Sequence, residues 1–380
     1  MSSLTVQAAV FVGAQQPLVV RELTIDSTPG PGEVLVKMAA SGVCHSDLHA
    51  LDGDWDTPAP LVLGHEGAGV IVALGADVTE LAVGDHVILS WTPSCQKCEY
   101  CVSGNPVLCQ LANETAYQHV FFDGKTRLSD ETSPVKSFLA VGSFGDHAMV
   151  PASAAIKIRK DAPLAQAALV GCAVTTGIGA VTNTAKVEPG STVLVVGCGG
   201  VGLNVVQGAR LAGAKQIIVA DVSDEKLELG RTFGATHTIN SRSADLVETV
   251  RALTNGRGVD YAFEAIGLPF TIEACYEAAR RGGTAVVVGQ VADGVKISID
   301  PFVMSDQEKK LIGSNYGSSR QSIDFPKIID LYMEGRIDLD SMVTDRIRLD
   351  QVNDAFAEMR QGRGIRSVIE YDLSPDYPAF

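Results

Sequence analysis

Between residues 95 and 109 stand four cysteines, spaced Cys95-x2-Cys98-x2-Cys101-x7-Cys109. Two CxxC steps that share a cysteine bring three sulfurs around one turn, and Cys109 supplies a fourth. Such a set suits a closed tetrahedral site, most commonly for zinc. An iron–sulfur cluster and free thiols are the alternatives. With every vertex filled by protein, a zinc here is structural and folds a lobe that has little apolar content of its own. The chain has 8 cysteines in all. An even count reads as disulfides in small secreted chains, but as metal or catalytic chemistry in a long cytosolic one.

Three further candidate ligands are scattered. Cys44 lies in Val43-Cys44-His45-Ser46-Asp47-Leu48-His49, His65 in Gly64-His65-Glu66-Gly67, and Cys172 follows Gly171. Two thiolates and one imidazole leave a fourth position open, as a catalytic zinc requires. Spacing alone does not establish such a site. A lone His65 is more often a satisfied polar residue, and Cys172 is by default a small buried hydrophobe. Likewise Ser46 reads as a turn or capping serine and His49 as a solvated histidine unless something else recruits them.

A third pattern is Gly197-Cys198-Gly199-Gly200-Val201-Gly202, placed after the apolar run Thr192–Val196 and before an apolar helical pattern. Gly197 permits the tight turn, Gly199 lets a pyrophosphate approach the backbone, and Gly202 allows close helix–strand packing. Gly200 and Val201 open the helix whose N–H groups and partial positive charge face the phosphates. The next apolar run, Gln216–Ala220, ends on Asp221. An acid there accepts hydrogen bonds from the adenosine ribose and repels a 2′-phosphate, which predicts NAD over NADP. Lys226 is a second candidate ribose contact.

The elements that must position these groups fall into two styles. Residues 4–12, 18–25, 33–38, 67–74 and 83–90 read as strands separated by turns such as Pro29-Gly30-Pro31-Gly32. Residues 91–145 read as irregular, a long loop of the functional or partly mobile kind. From Thr192 onward strands at 192–197, 216–221, 236–240, 259–264, 284–289 and 309–314 alternate with helices at 201–213, 224–233, 244–254, 269–280 and 302–306. That alternation predicts a doubly wound parallel sheet. Amphipathic helices at 322–334 and 350–361 and a strand at 365–371 return the chain to the β-rich part. The tail Ser374–Pro378 is expected to be loose.

The bulk properties narrow the function further. With 380 residues, 46% of them hydrophobic, the chain has room for about two domains with sizeable cores. A net charge of −15 argues against a nucleic-acid partner, which needs clustered Lys and Arg. No apolar run reaches the roughly 18 residues of a membrane span. The start of the chain lacks the basic and apolar regions of a signal peptide, which predicts a cytoplasmic protein.

Along nearly its whole length the chain resembles the zinc-containing medium-chain alcohol dehydrogenases, in particular the long-loop, dimeric-type members. The stretches that carry the likeness are SGVCHSDLH, LGHEGAGV, the four-cysteine lobe, LVGCAVTTGIGA, VLVVGCGGVGL, ADVSDEKL and GIRSVI. The resemblance implies an α/β fold in which a GroES-like β-rich catalytic domain (1–173 and 315–380, with a zinc lobe at about 91–112) contains an inserted Rossmann domain (174–314). It implies NAD and two zinc ions per chain. Cys44, His65 and Cys172 would hold the catalytic zinc, with Glu66 able to approach it, and the lobe cysteines the structural one. Asp47 would fix His65 from behind. Arg366 would pair with Asp47 or reach the cofactor pyrophosphate, near which His45 would also lie. Thr176 would pack by the nicotinamide, and the carbonyls around Val288, Gly289 and Gln290 would hold its carboxamide.

These roles compose a reaction. Zinc lowers the pKa of the substrate alcohol, Ser46 accepts its proton and passes it by way of the cofactor ribose to His49, and hydride goes to NAD. The products are NADH and an aldehyde or ketone. Trp91, Trp55, Phe138 and Tyr316 suggest an aromatic-rich pocket for a primary aromatic or medium-chain alcohol, although ordinary core would use the same residues. The alternative is oxidation of a formaldehyde–thiol adduct. Glutathione-linked members carry an arginine shortly after the fourth lobe cysteine, where Asn113 stands here, and acidic residues that Asp54 and Asp56 do not clearly match. A thiol other than glutathione is therefore the runner-up. A non-enzymatic zinc- and NAD-binding redox sensor would not need Ser46, His49 and an open metal position. The long 111–140 segment and a candidate edge strand at Val295–Ile299 predict a homodimer.

Overall fold

The computed structural model describes residues 3–131 and 133–373, so the tail expected to be loose lies outside the described residues. The chain divides into two units, residues 1–172 with 320–380, and residues 173–319.

The first unit is built on two β-structures. Ser3–Phe11 and Val19–Asp26 form an antiparallel pair in register from Ser3–Asp26 to Val10–Val19. Three short strands, Leu61–Val62, Leu128–Ser129 and Pro134–Ser137, close that pair into a five-stranded barrel. The second sheet is centred on Glu33–Gly42, a strand buried on both faces and therefore apolar almost throughout. Glu66–Leu74 pairs along its length, and Arg366–Glu370 adds on the other side with Val368 opposite Gly42. This last pairing brings the end of the chain back to the element that precedes Cys44.

Residues 91–145 are more ordered than a free loop. Glu99–Val102 and Gln110–Thr115 are helical, and Leu128–Ser129 and Pro134–Ser137 are barrel strands. Arg127 fastens the segment by donating through Nε to Glu33 Oε1 at 2.9 Å and through Nη2 to Asp123 at 3.0 Å. The polar composition that reads as loop is here the composition of short strands on a barrel rim, held by an ion pair.

In the second unit six parallel strands lie in the order His237–Asn240, Gln216–Asp221, Thr192–Val196, Val259–Glu264, Ala279–Val287 and Lys310–Gly313. Numbered along the chain this is 3-2-1-4-5-6, the dinucleotide-binding arrangement. Its core joins Leu194, Val196, Ile218, Ala220, Ala262 and Ala285 from the sheet to Val250, Cys275 and Tyr276 from the helices. Val295–Ile299, read above as an edge strand, belongs to no ladder within the described residues.

One element contradicts the sequence reading. Leu164–Ala185 is a helical run of 22 residues, long and apolar enough by length and composition to cross a membrane. The apolar stretch is 89% buried inside this chain, so it is a core helix. Its Ala, Gly and Thr content hides it from periodicity because it is apolar all round rather than amphipathic. The run also contains two π segments, Val170–Val174 and Ala180–Ala185.

Candidate functional site

Strand Glu33–Gly42 ends beside Cys44, which starts the short helix His45–Asp52. Asp47, in the first turn of that helix, is fully buried and holds three groups at once. Its Oδ2 accepts the Cys44 N–H at 3.2 Å, and its Oδ1 accepts the Gly64 N–H at 3.0 Å and meets His65 Nδ1 at 3.2 Å. The loop carrying His65 is thereby tied to the helix carrying Cys44. Cys172 arrives from the π segment, a local widening of the helix common at functional positions. Gly171 allows the approach, since a Cβ there would stand 3.0 Å from the Leu89 carbonyl oxygen.

Together Cys44, His65, Glu66 and Cys172 form a buried group whose ligand atoms all lie within 4.8 Å of one another. With Nδ1 held by Asp47, His65 keeps Nε2, which has no hydrogen-bond partner among the described residues, for a metal. Two thiols, an imidazole nitrogen and a carboxylate are a zinc donor set, so the residues fit the ion. The four groups perturb one another strongly. Hydrogen bonding from Cys172 holds the Cys44 thiol well below its usual range, against the burial that opposes it, and pushes the Cys172 thiol up. Burial works to lower the His65 pKa, but Asp47 and Cys44 outweigh it and raise it. Burial pushes Glu66 up to about 8 despite Arg366.

Arg366 pairs with Glu66 Oε1 at 3.4 Å and donates to Cys44 Sγ at 3.5 Å. The alternative partner read from the sequence, Asp47, is instead bound by Cys44, Gly64 and His65. A buried guanidinium offsets the negative charge of this donor set, which would otherwise stand uncompensated at low dielectric.

Around this centre Ser46 Oγ lies 3.9 Å from Cys44 Sγ. His49, one turn further along the helix and partly exposed, has Nδ1 2.7 Å from Asp54 Oδ2 and its ring 4.9 Å from that of Trp55. Phe138 stands edge-on to the His65 ring at 5.7 Å, and His119 stacks on Phe138 at 5.2 Å. Sequence reading missed His119. Its Nδ1 accepts the Leu139 N–H at 3.2 Å, and burial lowers its pKa to about 4. Trp91 meets Tyr117 edge-on at 6.4 Å. Tyr316, the fourth aromatic read as pocket, belongs to the second unit, where it is buried in a turn beside Thr175–Gly179.

The lobe cysteines also come together, with ligand atoms within 4.8 Å of one another. The Cys95 N–H donates to Cys109 Sγ at 3.2 Å and the Cys98 N–H to Cys95 Sγ at 3.3 Å. Backbone N–H groups of Cys101 and Gln110 draw the Cys98 thiol down to about 6. Four sulfurs with amide donors fit a closed zinc site. A cavity of about 960 Å³ beside the lobe is lined by Glu33, Lys97, Phe121 and Arg127 among others, and touches none of Cys44, His65 or Cys172.

In the second unit Gly197 has φ +100° at the end of strand Thr192–Val196, and a Cβ on Gly202 would stand 1.8 Å from the Gly197 carbonyl oxygen. A Cβ on Gly199 would meet nothing within 4 Å, so the turn is open on that side. The Asp221 carboxylate accepts the Cys198 N–H at 2.8 Å and the Ser223 N–H at 3.0 Å. Both carboxylate oxygens keep a lone pair for a diol. Ser223 caps the helix that carries Lys226.

Two family models match this chain, an alcohol dehydrogenase GroES-like domain over residues 30–160 and a zinc-binding dehydrogenase domain over residues 200–334. The chain belongs to the zinc-containing medium-chain alcohol dehydrogenases. It is 40% identical over 375 residues to the S-(hydroxymethyl)glutathione dehydrogenase of Paracoccus denitrificans, covering 96% of this chain and 99% of that one. Among solved structures, an alcohol dehydrogenase zinc-binding domain protein from Burkholderia ambifaria matches with a TM-score of 0.93 and 36% identity, covering 98% of this chain and all of that one. The benzyl alcohol dehydrogenase of Acinetobacter calcoaceticus matches with a TM-score of 0.92 and 34% identity at the same coverage. As a member of this family the protein is a zinc- and NAD-dependent dehydrogenase, and its two donor clusters correspond to a catalytic and a structural zinc.

Proposed function

We propose that the protein interconverts a primary aromatic or medium-chain alcohol and its aldehyde. The observation that carries this reading is the aromatic ring of Phe138 set edge-on against His65 and backed by His119. A flat apolar substrate packs against such a ring with its hydroxyl toward the metal ligands. The benzyl alcohol dehydrogenase likeness supports the same class.

Zinc held by Cys44, His65 and Cys172 would supply the Lewis acidity that acidifies the alcohol, and NAD the hydride acceptor. The chain's own residues do the rest. Asp47 fixes the tautomer of His65, and Arg366 balances the charge of Cys44 and Glu66. Ser46 takes the hydroxyl proton at Oγ, and His49 delivers it to solvent with its ring held by Asp54. Gly197, Gly199, Gly200, Val201 and Gly202 receive the pyrophosphate. Asp221 and Lys226 hold the adenosine ribose, which selects NAD. Thr176 and the stretch Val288–Gln290 hold the nicotinamide. The active form is a homodimer, supported by the exposed apolar side chains Val295 and Ile297.

A second reading, oxidation of a formaldehyde adduct of a low-molecular-weight thiol, is favoured by the relatives named S-(hydroxymethyl)glutathione dehydrogenase. Against glutathione itself, Asp54 is engaged by His49 at 2.7 Å. Asn113 also replaces the arginine of the glutathione-linked members. A kinetic panel of benzyl alcohol, straight-chain alcohols, and formaldehyde with and without thiols separates the readings. The expected result is the highest kcat/KM with benzyl or medium-chain alcohols. Formaldehyde turnover that requires a thiol, at higher kcat/KM than any alcohol, would establish the second reading instead.

A further inference from the structure

Glu264 is the last residue of strand Val259–Glu264, the fourth strand in chain order, which lies directly beside the first. The crevice between those two strands is where the strand order reverses and where this architecture binds its ligand. Glu264 is fully buried. One carboxylate oxygen, Oε1, accepts three hydrogen bonds, from the Ile266 N–H at 3.0 Å, the Gly267 N–H at 2.8 Å and the Thr271 hydroxyl at 2.8 Å. Oε2 has no hydrogen-bond partner among the described residues. It faces Gly289, where a Cβ would stand 2.7 Å from it. The Glu264 carbonyl also accepts the N–H groups of Val288 and Gly289, both at 2.9 Å.

Glu264 therefore ties two loops together at the switch point. Their backbones interlock without side chains between them. A Cβ on Gly267 would stand 2.1 Å from the Gln290 carbonyl oxygen, and one on Gly289 would stand 2.3 Å from the Gly267 nitrogen. The same loop reaches the phosphate turn, because a Cβ on Gly197 would stand 2.7 Å from Ile266 Cγ1. An acid is an expensive way to shape a turn in a fully buried place unless its fixed, charge-assisted acceptor is needed to hold amides in one orientation. The geometry points to Glu264 as a positioning residue for the nicotinamide half of the cofactor: its carboxylate sets the 265–267 loop, against whose Gly267 the Gly289–Gln290 backbone is packed, in the conformation that lets that stretch receive the carboxamide. This rests on the proposal that Val288–Gln290 hold the nicotinamide.

Isothermal titration of the zinc-loaded protein with NADH and with ADP-ribose, which lacks the nicotinamide, tests the inference. Glu264→Gln keeps the size and removes the charge. The expected result is a Kd for NADH raised ~10-fold, the size of one lost charge-assisted hydrogen bond. The Kd for ADP-ribose should stay within about twofold, since its partners are elsewhere. Thr271→Val, which removes one donor to Oε1 and leaves the carboxylate, should move the NADH value in the same direction by about threefold, and it carries the test if Glu264→Gln does not fold. Equal weakening of both ligands, or no change in either, overturns the inference. A wild-type protein that binds ADP-ribose and NADH equally well would instead remove the nicotinamide site on which it rests.

Discussion

The two thiol clusters of the first unit are built in opposite ways. The lobe takes Cys95, Cys98, Cys101 and Cys109 from one short run, leaves three of them partly exposed, and steadies its sulfurs with backbone N–H groups. The other cluster draws Cys44, His65, Glu66 and Cys172 from separate elements, buries all four, and balances them with Arg366 from the far end of the chain. A closed site needs only local loops, because its task is to cross-link a segment that has no core of its own. An open site must deny water to its metal and still admit a substrate, and that takes walls from several elements. The lobe's stability is thus local, whereas the buried centre is stable only as part of the whole sheet.

Breaking one ligand in each cluster should separate the two roles. Cys172→Ser is expected to lower kcat/KM by ~10⁴-fold or more while elemental analysis still finds the lobe zinc, because the loss is of Lewis-acid chemistry. Cys98→Ser should act on folding, lowering stability to unfolding by several kcal/mol, on the order of a third of a structural zinc's binding energy. Retention of both zinc ions by Cys98→Ser would end the distinction. Ser46→Ala sharpens the role of the buried centre. It should reduce kcat ~10²- to 10³-fold with zinc content unchanged, the range of a lost proton-transfer group. Turnover near that of the wild type would remove Ser46 from the relay.

His119 supports the buried centre through its stack on Phe138. Its folded pKa of about 4 lies below the ordinary histidine value. The unfolded chain therefore binds a proton first as pH falls. Stability from the neutral ring is complete above about pH 6.5 and is lost progressively toward pH 4, with at most about 3 kcal/mol at stake. Denaturant titrations of wild type and His119→Gln across that window should converge as pH falls. Parallel curves would mean that the ring is not neutral by burial. The smallest effect is expected from Asp47→Asn, which keeps its shape but not its charge and should weaken zinc at the buried centre ~10- to 100-fold. A chelator competition measures it, and an unchanged affinity would show that Asp47 serves the backbone of Cys44 and Gly64 alone.

Much of this protein was written in local patterns. The lobe ligands followed from cysteine spacing, and the glycine turn and Asp221 followed from a strand, a helix and a second strand in succession. The parallel sheet followed from alternation. These features are legible because each is specified within a few tens of residues, where period and turn chemistry act directly. The catalytic ligand set was named from family likeness, since Cys44, His65 and Cys172 have no spacing of their own. The helix Leu164–Ala185 was invisible because an all-round apolar element has no amphipathic period. Residues 91–145 looked irregular because barrel strands of two to four residues carry almost no pattern. Only the tertiary structure decided that Arg366 answers Glu66 and not Asp47, that His119 backs Phe138, and that Glu264 locks two loops. Arg366 and Glu66 are brought together from opposite ends of the sequence, and Glu264 reaches Val288 and Gly289 only through the sheet. Burial makes such pairings obligatory because an unpaired polar or charged group inside the fold is too costly to keep.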